Sequence, residues 1–112
     1  LFSEGVSKNK IDLKRFVELT STNPAKMYGM YPQKGVIKVG SDADLTFWDP
    51  NLKKKISQND LNHGSDYTPY EGLEITGWPV QTWLRGNKIF DNGKFTAVNN
   101  LGKYMSRDFS SF

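Results

Sequence analysis

Apolar residues are spaced in two different ways along this chain, and the change falls near Gly35. Over residues 13–19, Leu13, Phe16 and Val17 stand at i, i+3 and i+4, the spacing that lines one face of a helix. Asp12 comes directly before that run and has the side chain to cap it. A second short helix is expected over Asn23-Pro24-Ala25-Lys26-Met27-Tyr28-Gly29. It has a capping Asn, Pro at the first helical position and Gly just past the end. The pair reads as helix, kink, helix, with Met27 and Tyr28 packing rather than touching a ligand.

Beyond Gly35 the period falls to two. Val36, Val39, Leu45, Phe47 and the ending Trp48-Asp49-Pro50 bracket Gly40-Ser41-Asp42, which predicts a hairpin turning at those three residues. Residues 51–77 are polar and irregular apart from Ile56 and Leu61, and Tyr67 and Tyr70 are expected to pin this loop. Strand character returns over residues 78–84, with Val80, Thr82 and Leu84 on one face and Gln81 and Trp83 on the other. Turns at Arg85-Gly86-Asn87 and Asp91-Asn92-Gly93 then predict a small antiparallel meander ending at Lys94-Phe95. Three blocks follow: 1–34 helical, 35–95 strands with the irregular loop 51–77, and 96–112 an arm without sustained period.

Composition narrows the function classes. A chain of 112 residues is one domain's worth and hides only about two-thirds of its unfolded surface, so its core is small. Ten Gly, five Pro and a mean hydropathy of -0.61 mark a turn-rich chain. No apolar run approaches the roughly 18 residues that span a bilayer, so no membrane partner is expected. The chain has no Cys, which removes disulfides and thiolate metal sites and makes the cytoplasm the expected compartment. A net charge of +3 is concentrated in Lys53-Lys54-Lys55, read as a solvated strand edge rather than a nucleic-acid patch.

The candidate chemistry is thin. Asp42, Asp44 and Asp49 resemble a calcium loop only superficially, because no bidentate Glu closes a ring of oxygens. His63 is the single histidine and is expected on the surface. Glu71 and Glu74 flank Gly72 in a loop and are read as exposed acids, not an acid/base pair. The residues support a binding or structural segment. An autonomous basic β module that binds nucleic acid through its aromatic and lysine residues is an alternative.

Several longer motifs carry a resemblance. They are Glu18-Leu19-Thr20-Ser21-Thr22-Asn23-Pro24-Ala25-Lys26-Met27-Tyr28-Gly29, Gly40-Ser41-Asp42-Ala43-Asp44-Leu45, Asp66-Tyr67-Thr68-Pro69-Tyr70-Glu71-Gly72 and Gly77-Trp78-Pro79-Val80. Together they resemble the carboxy-terminal segment of a cyclic amidohydrolase of the D-hydantoinase and dihydropyrimidinase branch. The resemblance implies an α+β fragment: the last helices of a (β/α)8 barrel, then the carboxy-terminal strands of a β-sandwich. It further implies a parent enzyme that hydrolyses cyclic amides with two divalent metal ions, zinc being the expected pair, held on barrel strands. No catalytic, metal or cofactor-binding residue of that family maps onto positions 1–112. The partners implied are the enzyme's own upstream barrel and further copies in a homo-oligomer. A metal-free dihydropyrimidinase-like binding protein is the alternative parent.

Overall fold

The computed structural model describes residues 1–96 and 101–110. It is an α+β arrangement, with short helices first and one antiparallel sheet after them. Helix α1 spans Phe2–Gly5. A longer helical path then runs through α2 (Leu13–Val17), a π-helical turn (Glu18–Thr22) and α3 (Asn23–Met27). Four strands follow: β1 (Leu45–Lys55), β2 (Glu74–Leu84), β3 (Asn87–Asp91) and β4 (Lys94–Phe95), in the order β1-β2-β3-β4.

Asp12 caps the path as its position predicts, its carboxylate accepting the Arg15 amide at 2.7 Å. The expected second N-cap at Asn23 is not found, and a π turn stands where the kink was expected. Asn23 is itself helical (φ -67, ψ -44), and its N–H reaches back five residues to the Glu18 carbonyl. Proline lacks an amide donor, and its ring crowds the carbonyl four residues back. The wider π turn before Pro24 lets the helix pass this residue without breaking. Gly29, at φ +66, ends the path as expected.

The hairpin expected across Gly40-Ser41-Asp42 is also absent, since residues 36–44 form no strand. Val36 and Val39 have no strand to face, because β1 pairs instead with β2, from Leu45↔Trp83 to Lys55↔Glu74. The chain does fold back there, but through a loop closed by hydrogen bonds from Asp42 N to Gln33 O (2.9 Å) and Ser41 N to Lys38 O (3.0 Å). The boundaries of the irregular loop move as well. Asn51–Lys55 continue β1 and Glu74–Gly77 open β2, so the stretch outside the strands is 56–73, its ends tied by Ile56 N to Leu73 O (2.9 Å) and Gly72 N to Ile56 O (2.8 Å). Sequence reasoning missed these ends because a register shift between Asp49 and Lys53, beside Pro50, breaks the alternation it relies on.

The meander is as predicted. Both two-residue turns have two positive-φ residues, Arg85 and Gly86 in one, Asn92 and Gly93 in the other, the geometry that suits the twist of tight hairpins. Pro79 sits in β2 at another register shift, Phe47↔Gln81 to Trp48↔Pro79, where its missing N–H costs no regular ladder bond.

The buried core is small. Among the described residues only Phe2, Phe16 and Ala25 are buried apolar side chains. Phe2 stacks on Trp48 (centroids 4.9 Å, interplanar 13°), and Phe16 meets both rings edge-on at 5.2 and 5.5 Å. Gly77 (φ +89) makes room for this cluster, since a Cβ there would lie 2.3 Å from the Phe2 ring. Ser3 and Ser7 fasten α1 to the same point through the Thr76 amide (3.1 Å) and carbonyl (3.0 Å).

Candidate functional site

Among the described residues a concavity of about 710 Å³ lies where the helical path meets the start of β1. Phe2, Phe16, Val17, Val36, Ile37, Leu45 and Trp48 supply its apolar walls, while Lys34, Asp42 and Asp44 supply a polar rim. The walls come from four segments: Phe2 from α1, Phe16 and Val17 from the helical path, Val36 and Ile37 from the loop before β1, and Leu45 and Trp48 from β1.

The rim is an ion cluster. Lys34 Nζ lies 2.7 Å from Asp42 and also contacts Asp44. Gln33 donates to Asp42 at 3.4 Å, and the Arg85 amide donates to the second oxygen of Asp44 at 2.8 Å. Burial pushes the Lys34 amine down, but the two carboxylates together outweigh it and hold it above its ordinary value. The hydrogen bond from Lys34 holds the Asp42 carboxyl below its ordinary value, with burial opposing. Two of the three acids that suggested a metal loop are therefore engaged with an ammonium group. The third, Asp49, accepts the amides of Asn51 (2.9 Å) and Leu52 (3.2 Å) at the β1 irregularity.

The other candidates are not gathered here. His63 is exposed, and its Nδ1 accepts the Ser65 amide at 3.2 Å. Glu71 holds the 56–73 loop by accepting the Gln58 amide at 2.6 Å, while Glu74 opens β2 opposite Lys55. The two tyrosines expected to pin that loop do not: Tyr67 and Tyr70 are exposed, and the buried residue between them is Thr68. Thr68 accepts the Tyr70 amide through its hydroxyl (3.3 Å) and the Glu71 amide through its carbonyl (3.3 Å). A small β-branched residue turns the chain inward there more compactly than a phenol, whose hydroxyl would need its own buried partner.

Of the Lys53-Lys54-Lys55 run, Lys53 and Lys55 are exposed on the edge strand, as a solvated edge requires. Lys54 is engaged instead, 3.0 Å from Asp60 and 4.8 Å from the Trp78 ring centroid. No helix among the described residues is long and apolar enough to cross a membrane.

This fold and these motifs define a family. The Amidohydrolase family profile matches residues 2–89, and the chain belongs to that family. It is similar to the D-hydantoinase of Ralstonia pickettii, 44% identical over 104 residues that cover 93% of this chain and 23% of the relative. Among solved structures, a D-hydantoinase superposes with a TM-score of 0.90 at 43% identity over 96% of this chain and 23% of that one. The dihydropyrimidinase from Brevibacillus agri NCHU1002 superposes with a TM-score of 0.91 at 43% identity over 98% of this chain and 24% of that one. The chain thus spans 23% of the length of the first of these relatives.

Amidohydrolases are generally metal-dependent. Among the described residues no three His, Asp or Glu side chains converge to hold an ion. The closest approach to a donor set, Asp42 and Asp44, is neutralised by Lys34, so these residues do not fit the family's metal and no reaction step is routed through them.

Proposed function

We propose that this chain is the carboxy-terminal, non-catalytic part of a metal-dependent cyclic amidohydrolase of the hydantoinase and dihydropyrimidinase type. Its helical path is the last barrel helix with its extension, and β1–β4 are the carboxy-terminal share of a β-sandwich. The reaction is hydrolytic opening of a cyclic amide in a hydantoin or dihydropyrimidine, and its metals and reacting groups sit on the rest of the protein. The chain supplies walls and seams: the aromatic groove receives the barrel, and the 56–73 loop and the 101–110 arm face other subunits of a homo-oligomer.

One observation carries this reading. The accessible surface is 8404 Å², about a third more than the ~6,200 Å² that a compact monomer of this mass exposes. The excess, on the order of 2,000 Å², is the size of a permanent interface. It is apolar where it matters: Leu13 and Val17, two members of the helical stripe, are exposed, with Ile37 at 88% and Val39 at 99%. The radius of gyration, 15.5 Å, likewise exceeds the roughly 13 Å of a compact globule of this length.

The test is a graft. These residues replace the matching part of the Ralstonia pickettii D-hydantoinase, and hydantoin ring opening is followed with and without a chelator. Metal-dependent ring opening by the graft, with none by the 112-residue chain alone, is the expected result. Ring opening by the isolated chain, or a folded graft without activity, overturns the proposal.

A further inference from the structure

The arm at residues 101–110 has neither helix nor strand, yet it is fixed to the end of the helical path. The Asp108 amide donates to the Gly29 carbonyl at 2.9 Å. The Arg107 guanidinium lies 5.8 Å from the centroid of the Tyr28 ring, within cation–π range. Gly29 is pressed against the arm so closely that a Cβ there would lie 1.9 Å from the Asp108 carbonyl oxygen. A helix end at φ +66 accepts Asn as well as Gly, so the helix alone does not explain this contact; the approach of the arm does. Between the turn after the helix and the arm lies a cleft of about 380 Å³, with Gln33 and Lys38 on one side and Met105 and Ser106 on the other.

We propose that Tyr28 and Gly29 form a peptide-binding site whose ligand is an extended segment carrying a cationic side chain followed by a free backbone N–H. Its occupant is Arg107–Asp108 of the same chain, which acts as a strap across the cleft. The ring face takes the guanidinium, the Gly29 carbonyl takes the next amide, and the absence of a side chain at Gly29 lets the strap lie flat. The inference concerns the chain's own contacts and stands whether or not the enzymatic reading does.

The chain has no cysteine, so a reporter pair can be placed cleanly. In the full chain carrying Gln33→Cys and Ser106→Cys, one on each side of the cleft, a short bismaleimide is expected to join the two within one molecule. Adding Gly29→Asn keeps the helix end but fills the contact, and the intramolecular product should fall about tenfold as the strap opens. Adding Asp108→Pro instead deletes the donor from the arm and leaves the helix untouched, so it should lower the yield severalfold even if the first variant folds poorly. Product formed only between two chains, or a yield unchanged by both additions, overturns the proposal.

Discussion

The two ends of the sheet are held together in different ways. Where β1 and β2 meet the helices, Phe2, Phe16 and Trp48 interlock face and edge over Gly77, and side-chain packing does the holding. In the β2–β4 meander no described residue after Gly77 is buried. That end relies on ladder bonds, two tight turns and the Lys88–Asp91 contact (2.5 Å). The difference teaches where substitutions count: at the seam a single atom is felt, whereas in the meander backbone conformation is the main term.

The sharpest way to break this contrast is Phe16→Ala. Removing a ring that is 8% exposed and touches two others should cost about 3 kcal/mol or more in urea unfolding. The matching change in the meander, Phe95→Ala, removes a ring that is 60% exposed and should cost less than about 1 kcal/mol. Equal losses would mean that the seam is no better packed than the meander.

A pair of glycines refines the comparison. Gly77 and Gly93 share φ +89, but a Cβ at Gly93 meets nothing within 4 Å, while at Gly77 it strikes Phe2. Gly93→Ala therefore reports the backbone term alone, about 1 kcal/mol, and Gly77→Ala should exceed it by a further ~1–3 kcal/mol of overpacking. Thermal melts of the two variants check the ordering.

The smallest effects are electrostatic. Lys34 lowers the Asp42 carboxyl, and Lys88 lowers that of Asp91. A carboxyl whose folded pKa lies below its unfolded value contributes stability above pH 3.8, and that contribution is lost as pH falls through the folded value. Asp42→Asn and Asp91→Asn should each flatten the acid limb of the stability profile slightly. Lys34 behaves oppositely: its raised pKa gives stability that is full below pH 10.5 and lost as pH rises through the folded value. A stability profile of Lys34→Met that still falls as steeply above pH 10.5 would remove Lys34 as the cause.

What was legible in the sequence followed from short-range rules. The Asp12 cap, the Gly29 stop and both meander turns depend on residues within a few positions of one another, and each is in place. What escaped depended on distant partners. Val36 and Val39 alternate like a strand, yet the Leu45–Pro50 run they were expected to join is part of a longer strand that finds its partner at Glu74–Leu84. Helix α1 went unread because its four residues carry no period; Phe2 matters only through Trp48 and Gly77. The Lys34 cluster was half visible, since its acids stood out but their cation came from eight positions before Asp42. The family motifs reached further than either, because they record the outcome of long-range packing in local words. Residues 97–100 and 111–112 of the expected arm lie outside the described residues.

The π turn at Glu18–Thr22 has a geometric result. In an unbroken α-helix, residues nine apart, such as Phe16 and Ala25, point about 180° away from each other. One residue absorbed in a wider coil turns everything after it back by about 100°, bringing Ala25 round towards the side that Phe16 occupies. Both are buried and both line the groove. Trimming a single amino acid from that coil would restore ideal winding with the second half of the rod still in phase, since eight steps of about 100° also leave Ala25 about 80° from Phe16, whereas straightening the coil at full length would swing that half out of its seat.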